Sequence, residues 1–315
     1  MIERILRAFR NKPSADAPEV QRENLSFRIP VLCYHSWTIN GPDYETNDHV
    51  ALEQDLKLLG SRGYEVLPVP DLLAALHGEM PADELVGKKL VCLTFDDGRD
   101  FDYHEYLSSA WGAVPSFHNI LERSSDWLGQ YSSGPRAVSF VIASPEARQI
   151  LDQTCGNGAG EWQDDWWEKS AADGIMGIAN HSWDHVHDTL PTVRQRHNQK
   201  GSFLAIDSLE DANAQIAEAQ AYINRKTGSR AVPVFCYPYG HVSSYLRDDY
   251  LPRYGPGLGL RGAFSTDGDF ATGGVNVWSI PRFVCGGHWK GLSGLERLLD
   301  DAECDTAPQA NQSPC

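Results

Sequence analysis

Apolar and polar positions along this chain alternate with two periods. Short continuous apolar runs, as in strands buried on both faces, are separated by segments whose apolar residues recur every three or four positions, as in helices with one buried side. Ile29 to Tyr34 reads as a strand, and Asp48 to Arg62 as a helix with Leu52, Leu56 and Leu59 on one face. Strand Tyr64 to Leu67, helix Asp71 to His77 and strand Leu90 to Phe95 continue the rhythm. Strand Ala137 to Ile142, helix Glu146 to Thr154, a Trp-rich helix from Trp162 to Ala172 and strand Ile175 to Ala179 come next. The long helix Leu209 to Thr227 leads to strand Val232 to Cys236, and late strands Gly262 to Ser265 and Val277 to Val284 end the series. Such alternation predicts an α/β fold on a parallel sheet, either closed as a barrel or open and doubly wound. There is no internal repeat.

Two segments interrupt the pattern. Arg99 to Pro135 is rich in glycine and serine, with a short helical pattern around Ile120 and Leu121, and is longer than a plain connection. Following a strand that ends in two carboxylates, it reads as a substrate-covering element. Gly156 to Gly160 is a glycine-rich turn before Trp162. Both chain ends lack periodicity, so the expected organisation is an N-terminal arm over 1–26, one catalytic domain over 27–295 and a C-terminal tail over 296–315.

Composition narrows the partners. Hydrophobic residues make up 41% of the chain, enough for one large core. Lys and Arg number 27 against 43 Asp and Glu, and a net charge of −16 repels nucleic acid and anionic lipid surfaces. No run approaches the roughly 18 apolar residues of a membrane span, and charges interrupt the N-terminal segment, so the expectation is a cytoplasmic protein. The seven cysteines form no C-x-x-C pair; Cys33, Cys92, Cys236 and Cys285 sit in apolar stretches as packed thiols. Any metal must therefore be held by other ligands.

Chemistry concentrates at strand ends. Leu90 to Phe95 runs into Asp96, Asp97 and Gly98, placing two carboxylates at the carboxyl end of a buried strand, although such a tripeptide alone also reads as a turn. His181 and His185 lie four apart at the end of another strand, where one helical turn would put both imidazoles on one face. Two imidazoles and one carboxylate make a three-ligand set that leaves a cation open positions. Tyr237-Pro-Tyr239-Gly240 ends a third strand, as a turn able to aim a backbone N–H into a pocket or simply to cap the core.

Thr94-Phe-Asp-Asp-Gly98, then His181-Ser-Trp-Asp-His185, then Tyr237-Pro-Tyr-Gly240, in this order, resemble the first three motifs of the polysaccharide deacetylase family, also called carbohydrate esterase 4 or the NodB-homology family. The opening Tyr34-His35-Ser36 resembles the strand with which many members begin. The resemblance spans about Ile29 to Val284 and implies a distorted, incomplete (β/α) barrel of seven strands, similar to a TIM barrel. It further implies a divalent metal, commonly zinc, on Asp97, His181 and His185, with Asp96 as catalytic base. The Tyr239 backbone N–H would stabilise the oxyanion. The substrate implied is an N-acetylated saccharide.

The chain departs from that pattern in two places. Where many relatives carry an arginine that orients the base, this chain has Cys236; Arg282 is the candidate replacement. The late Leu-x-His motif that supplies the general acid is not evident, leaving His35, at the end of the first strand, or His288. Tryptophans 162, 166 and 167 suit either sugar stacking or core packing. Three functions remain open: an N-deacetylase of saccharides, a hydrolase of a small or cyclic amide on the same fold, and a saccharide-binding protein without turnover.

Overall fold

A computed structural model describes residues 27–81, 84–110 and 112–304 of the chain. Eleven strands are present among them: β1 (Val31–Tyr34), β2 (Glu65–Val66), β3 (Leu90–Phe95), β4 (Tyr106–Ser108), β5 (Gly112–Val114), β6 (Gly129–Gln130), β7 (Ala137–Val141), β8 (Met176–Asn180), β9 (Val234–Cys236), β10 (Gly262–Phe264) and β11 (Phe283–Val284). Seven lie in the order β10-β9-β8-β7-β3-β1-β11, and every pairing along it is parallel. The short strands β2 and β6 extend the sheet beside β3.

The sheet curls until its ends nearly meet. Residues 277–280, just before β11, bond to β10 at the other edge: Ala263 N–H donates to Val277 O, and Ile280 N–H to Ala263 O, both at 2.8 Å. The result is a distorted, incomplete (β/α) barrel, nearer to the barrel than to the open, doubly wound sheet among the two arrangements the sequence allowed. The late strand expected over Val277 to Val284 shortens to Phe283–Val284. Pro281 has no N–H to donate and breaks the ladder, which turns the next residue, Arg282, inward with 0% exposure.

Apolar residues fill both faces of the sheet, as continuous apolar runs require. Leu32, Tyr34, Val91, Leu93 and Phe95 pack with Leu52, Leu56 and Leu59 of helix Asp48–Ser61 and with Phe117, Ile120 and Leu121 of helix Phe117–Ser124. Their neighbours Val31, Cys92, Val138, Phe140, Ala179, Val234 and Phe264 form the interior cluster.

Four expectations change. The segment from Arg99 to Pro135 holds more than the short helical pattern expected around Ile120 and Leu121: besides that helix, Phe117–Ser124, started by a Ser116–Asn119 capping box, it contains the antiparallel pair β4–β5 and strand β6. The Trp-rich helix begins only at Trp167; Trp162 and Trp166 precede it, and all three tryptophans are buried in the core. The helix expected over Leu209 to Thr227 passes through a π turn at Asn213–Ala217. The expected tail from residue 296 is instead, as far as Cys304, part of helix Gly291–Cys304, whose Leu295, Leu298, Leu299 and Ala302 join the outer core. Its sequence reads as polar because its other side carries acidic residues. The arm over 1–26 lies outside the described residues, as do 305–315.

Leu299 is fully buried, so Leu299→Ala is expected to cost about 2–5 kcal/mol in unfolding free energy, measured by urea denaturation. A change under about 0.5 kcal/mol would restore the tail reading.

Candidate active site

Because the seven strands run parallel, their carboxyl ends share one rim, and a cavity of about 410 Å³ opens there. His35 follows β1, Asp96 and Asp97 follow β3, His181 follows β8 and Tyr239 follows β9; with His185, all line this cavity.

Asp97, His181 and His185 bring one carboxylate oxygen and two imidazole nitrogens within 4.8 Å of one another. His181 Nε2 lies 3.6 Å and His185 Nε2 3.7 Å from Asp97 Oδ1. These spacings are too long for hydrogen bonds and close to the separation of about 3.3 Å between ligands of a four-coordinate zinc. His181 Nδ1 donates to the Cys236 carbonyl at 3.1 Å, which leaves its Nε2 lone pair for a cation. Burial holds both imidazoles below their usual pKa, His185 well below it, with nearby His181 adding to the effect. The neutral imidazole is the form that ligates. These residues fit a divalent metal.

The two histidines do not lie on a helical turn, contrary to expectation. Residues 181–187 form an irregular loop in which Ser182, His185 and Val186 adopt left-handed backbone conformations. Side chains take the place of a helical ladder: Asn180 Oδ1 accepts from Ser182 N–H, Ser182 Oγ from His185 N–H and Asp184 Oδ1 from Val186 N–H. Asp97 (φ 74°) and Tyr239 (φ 60°) are left-handed as well. Gly98 follows Asp97 with φ 69°, and a Cβ there would come within 2.5 Å of Val141, so this position requires glycine.

Asp96 is gripped by Arg282, whose Nη1 and Nη2 reach Oδ1 and Oδ2 at 2.7 Å each. Burial alone would raise the Asp96 pKa; the guanidinium, through its charge and both hydrogen bonds, outweighs it and holds the carboxyl well below the usual range. Cys236 adds only weak contacts to the base, its Sγ lying 3.8 and 3.7 Å from Asp96 Oδ1 and Oδ2, and the same Sγ lies 2.9 Å from Arg282 Nη2.

His35 shares the cavity with Asp96, whereas His288 does not line it: its Nδ1 accepts from Val284 N–H at 2.8 Å, and its ring stands against Phe283. In the turn at Pro238–Gly240 the internal bonds come from Gly240 and His241 N–H, leaving the Tyr239 N–H outside them. The Tyr239 ring, 37% exposed, rests 4.4 Å from the His185 ring. Of the described residues from Arg99 to Pro135, Arg99 is the one that lines the cavity, so the other described residues of that segment do not cover the site as expected.

Sequence reasoning missed Trp37, which lines the cavity and bonds Asp97, and placed Trp162 on a helix when it forms part of the wall. A lone tryptophan three residues past a strand end carries no local signal.

The family model "Polysaccharide deacetylase" matches residues 83–251, more than half of the chain, and the protein belongs to that family. Solved structures with a similar fold include IcaB from Ammonifex degensii (18% identity, TM-score 0.57, covering 88% of this chain and 97% of that one). A de-N-acetylase from Aggregatibacter actinomycetemcomitans is 17% identical, with TM-score 0.56 over 86% of this chain and 99% of that one. The Streptococcus pyogenes deacetylase PplD in complex with acetate is 18% identical, with TM-score 0.53 over 82% and 92%. No curated protein matches by sequence.

Asp97→Ala and His181→Ala are each expected to leave a folded protein whose zinc affinity falls by more than the 10–100-fold typical of losing an outer partner. Chelator competition measures it; unchanged affinity in both would remove the metal assignment.

Proposed function

We propose that the protein is a metal-dependent N-deacetylase acting on an N-acetylated saccharide. The observation that carries this reading is the meeting, in one cavity, of an arginine-held carboxylate with an adjacent Asp-His-His cluster at ligand spacing. One carboxylate with two imidazoles suits zinc. When bound, the cation would supply Lewis acidity that lowers the pKa of water and polarises the amide carbonyl.

The chain's own groups divide the remaining work. Asp96, kept ionised by Arg282, accepts the proton of the attacking water. The Tyr239 N–H donates to the oxyanion. His35 protonates the departing amine; its position in the cavity favours it over His288.

A saccharide is favoured over a small cyclic amide by the character of the cavity. Trp37, 47% exposed, and Tyr239, 37% exposed, present aromatic rings on which sugar faces stack, and Arg99 is the one described residue of the long segment after β3 that lines the site. The intact pairing of Asp96 with Arg282 speaks against a binding protein without turnover. The shared fold of the Aggregatibacter actinomycetemcomitans de-N-acetylase and of the acetate-bound Streptococcus pyogenes deacetylase accords with N-acetyl hydrolysis.

Zinc-loaded protein is expected to release acetate from N-acetylglucosamine oligomers, and Asp96→Asn to lose at least about 10²-fold in rate while keeping its metal. Equal release by both proteins would remove Asp96 as base; no release by the zinc-loaded wild type would remove the saccharide assignment.

Arg282→Lys keeps the charge but loses the bidentate geometry, so the Asp96 pKa should rise. A base works only when ionised, hence the acid limb of the kcat/KM profile should move to higher pH. An unmoved limb would separate Arg282 from the function of Asp96.

A further inference from the structure

Asp97 is held from outside the cluster by two indoles. Trp37 Nε1 donates to Asp97 Oδ2 at 2.9 Å, and Trp162 Nε1 donates to the Asp97 backbone carbonyl at 3.0 Å. The other carboxylate oxygen, Oδ1, is the one nearest to His181 Nε2 and His185 Nε2. Each oxygen of Asp97 thus has a different neighbour: Oδ2 an indole donor, Oδ1 two imidazole nitrogens.

We propose that Trp37 is a positioning residue of the metal site, whose N–H holds Oδ2 so that Asp97 presents Oδ1 alone to a cation. Without that donor the carboxylate turns freely about its Cβ–Cγ bond, and both oxygens compete for the cation and for water. Ordering the carboxylate before binding removes an entropic cost that the metal would otherwise meet.

The construction around Trp37 suits this role. Its ring is 47% exposed, so core packing does not account for its place. Its loop is nevertheless fixed: Thr38 N–H donates to His35 O, Ile39 N–H to Trp37 O and Asp48 N–H to Thr38 O, at 2.9–3.0 Å. An exposed side chain on an anchored backbone can aim a donor without being needed for the fold. Trp162 contrasts with it, being 6% exposed, packed under the Arg99 guanidinium and bonded to the strained Asp97 backbone. Its loss would disturb packing and metal site together.

This inference rests on the metal-site reading but not on the identity of the substrate, so its test uses the metal alone. Zinc dissociation constants would be measured by chelator competition for wild type, Trp37→Phe and Trp37→Ala, beside the thermal midpoints of the metal-free proteins. Trp37→Phe keeps a ring and removes only the N–H. The expected result is a 10–100-fold weaker zinc affinity in both variants with an unchanged metal-free midpoint. Unchanged affinity in Trp37→Phe would overturn the proposal, as would a loss matched by a lower metal-free midpoint, which would assign the effect to loop packing. If the wild type itself bound no zinc, the metal-site reading would fail first.

Discussion

The structure turns on one buried ion pair, Arg282 with Asp96. Removing each charge from water costs several kcal/mol, and the attraction between them offsets this only when the geometry is good and the remaining polar atoms are satisfied. Here all five guanidinium N–H groups have acceptors. Nε reaches Ser265 O, Nη1 reaches Thr94 Oγ1 and Asp96 Oδ1, and Nη2 reaches Asp96 Oδ2 and Cys236 Sγ. Those acceptors come from the ends of β3, β9 and β10, and the arginine itself immediately precedes β11. One side chain therefore joins both edges of the incomplete barrel at its catalytic end, and the same contact fixes the base. Barrel closure and orientation of Asp96 are a single interaction.

That arrangement explains how the chain departs from its family's pattern without losing the pattern's chemistry. A guanidinium beside the base is expected at position 236, where this chain has a thiol. The thiol is small enough for the Arg282 guanidinium to approach to 2.9 Å, and a second arginine at 236 would set two cations against one carboxylate. The guanidinium has moved from one strand end to a segment 46 residues further on, while its target has stayed. Pro281 makes the move possible by breaking the strand and turning the following residue inward.

The parts legible in the sequence were those in which local pattern and tertiary role agree. Strand β3 appears with the predicted bounds because all six of its residues are buried and apolar or bonded, as with Thr94, whose hydroxyl donates to Leu32 O. The motif residues at the strand ends were found because parallel strands must deliver their carboxyl ends to one rim. What escaped was carried by contacts distant in sequence. Strands β4, β5 and β6 lie in a glycine- and serine-rich stretch, where the short helical pattern around Ile120 and Leu121 extends to helix Phe117–Ser124, held by Phe117, Ile120 and Leu121 against helix Asp48–Ser61. Helix Gly291–Cys304 hides its apolar stripe among acidic residues, and Trp37 meets Asp97 across 60 positions.

The failed helical turn at His181 to His185 marks a more general relation between strain and site. Seven non-glycine residues among those described are left-handed; four of them, Asp97, Ser182, His185 and Tyr239, belong to the three motif segments, and a fifth, Val186, directly follows the second. Such conformations cost of order 1–3 kcal/mol each and persist only where the surroundings over-determine them. The surroundings do so here: a glycine packed on Val141 after Asp97, side-chain oxygens capturing the N–H groups of Ser182, His185 and Val186, and two indole donors on Asp97. Local preference predicts the relaxed turn, and the site needs the strained one. The spacing of the two histidines was therefore informative about chemistry and misleading about backbone.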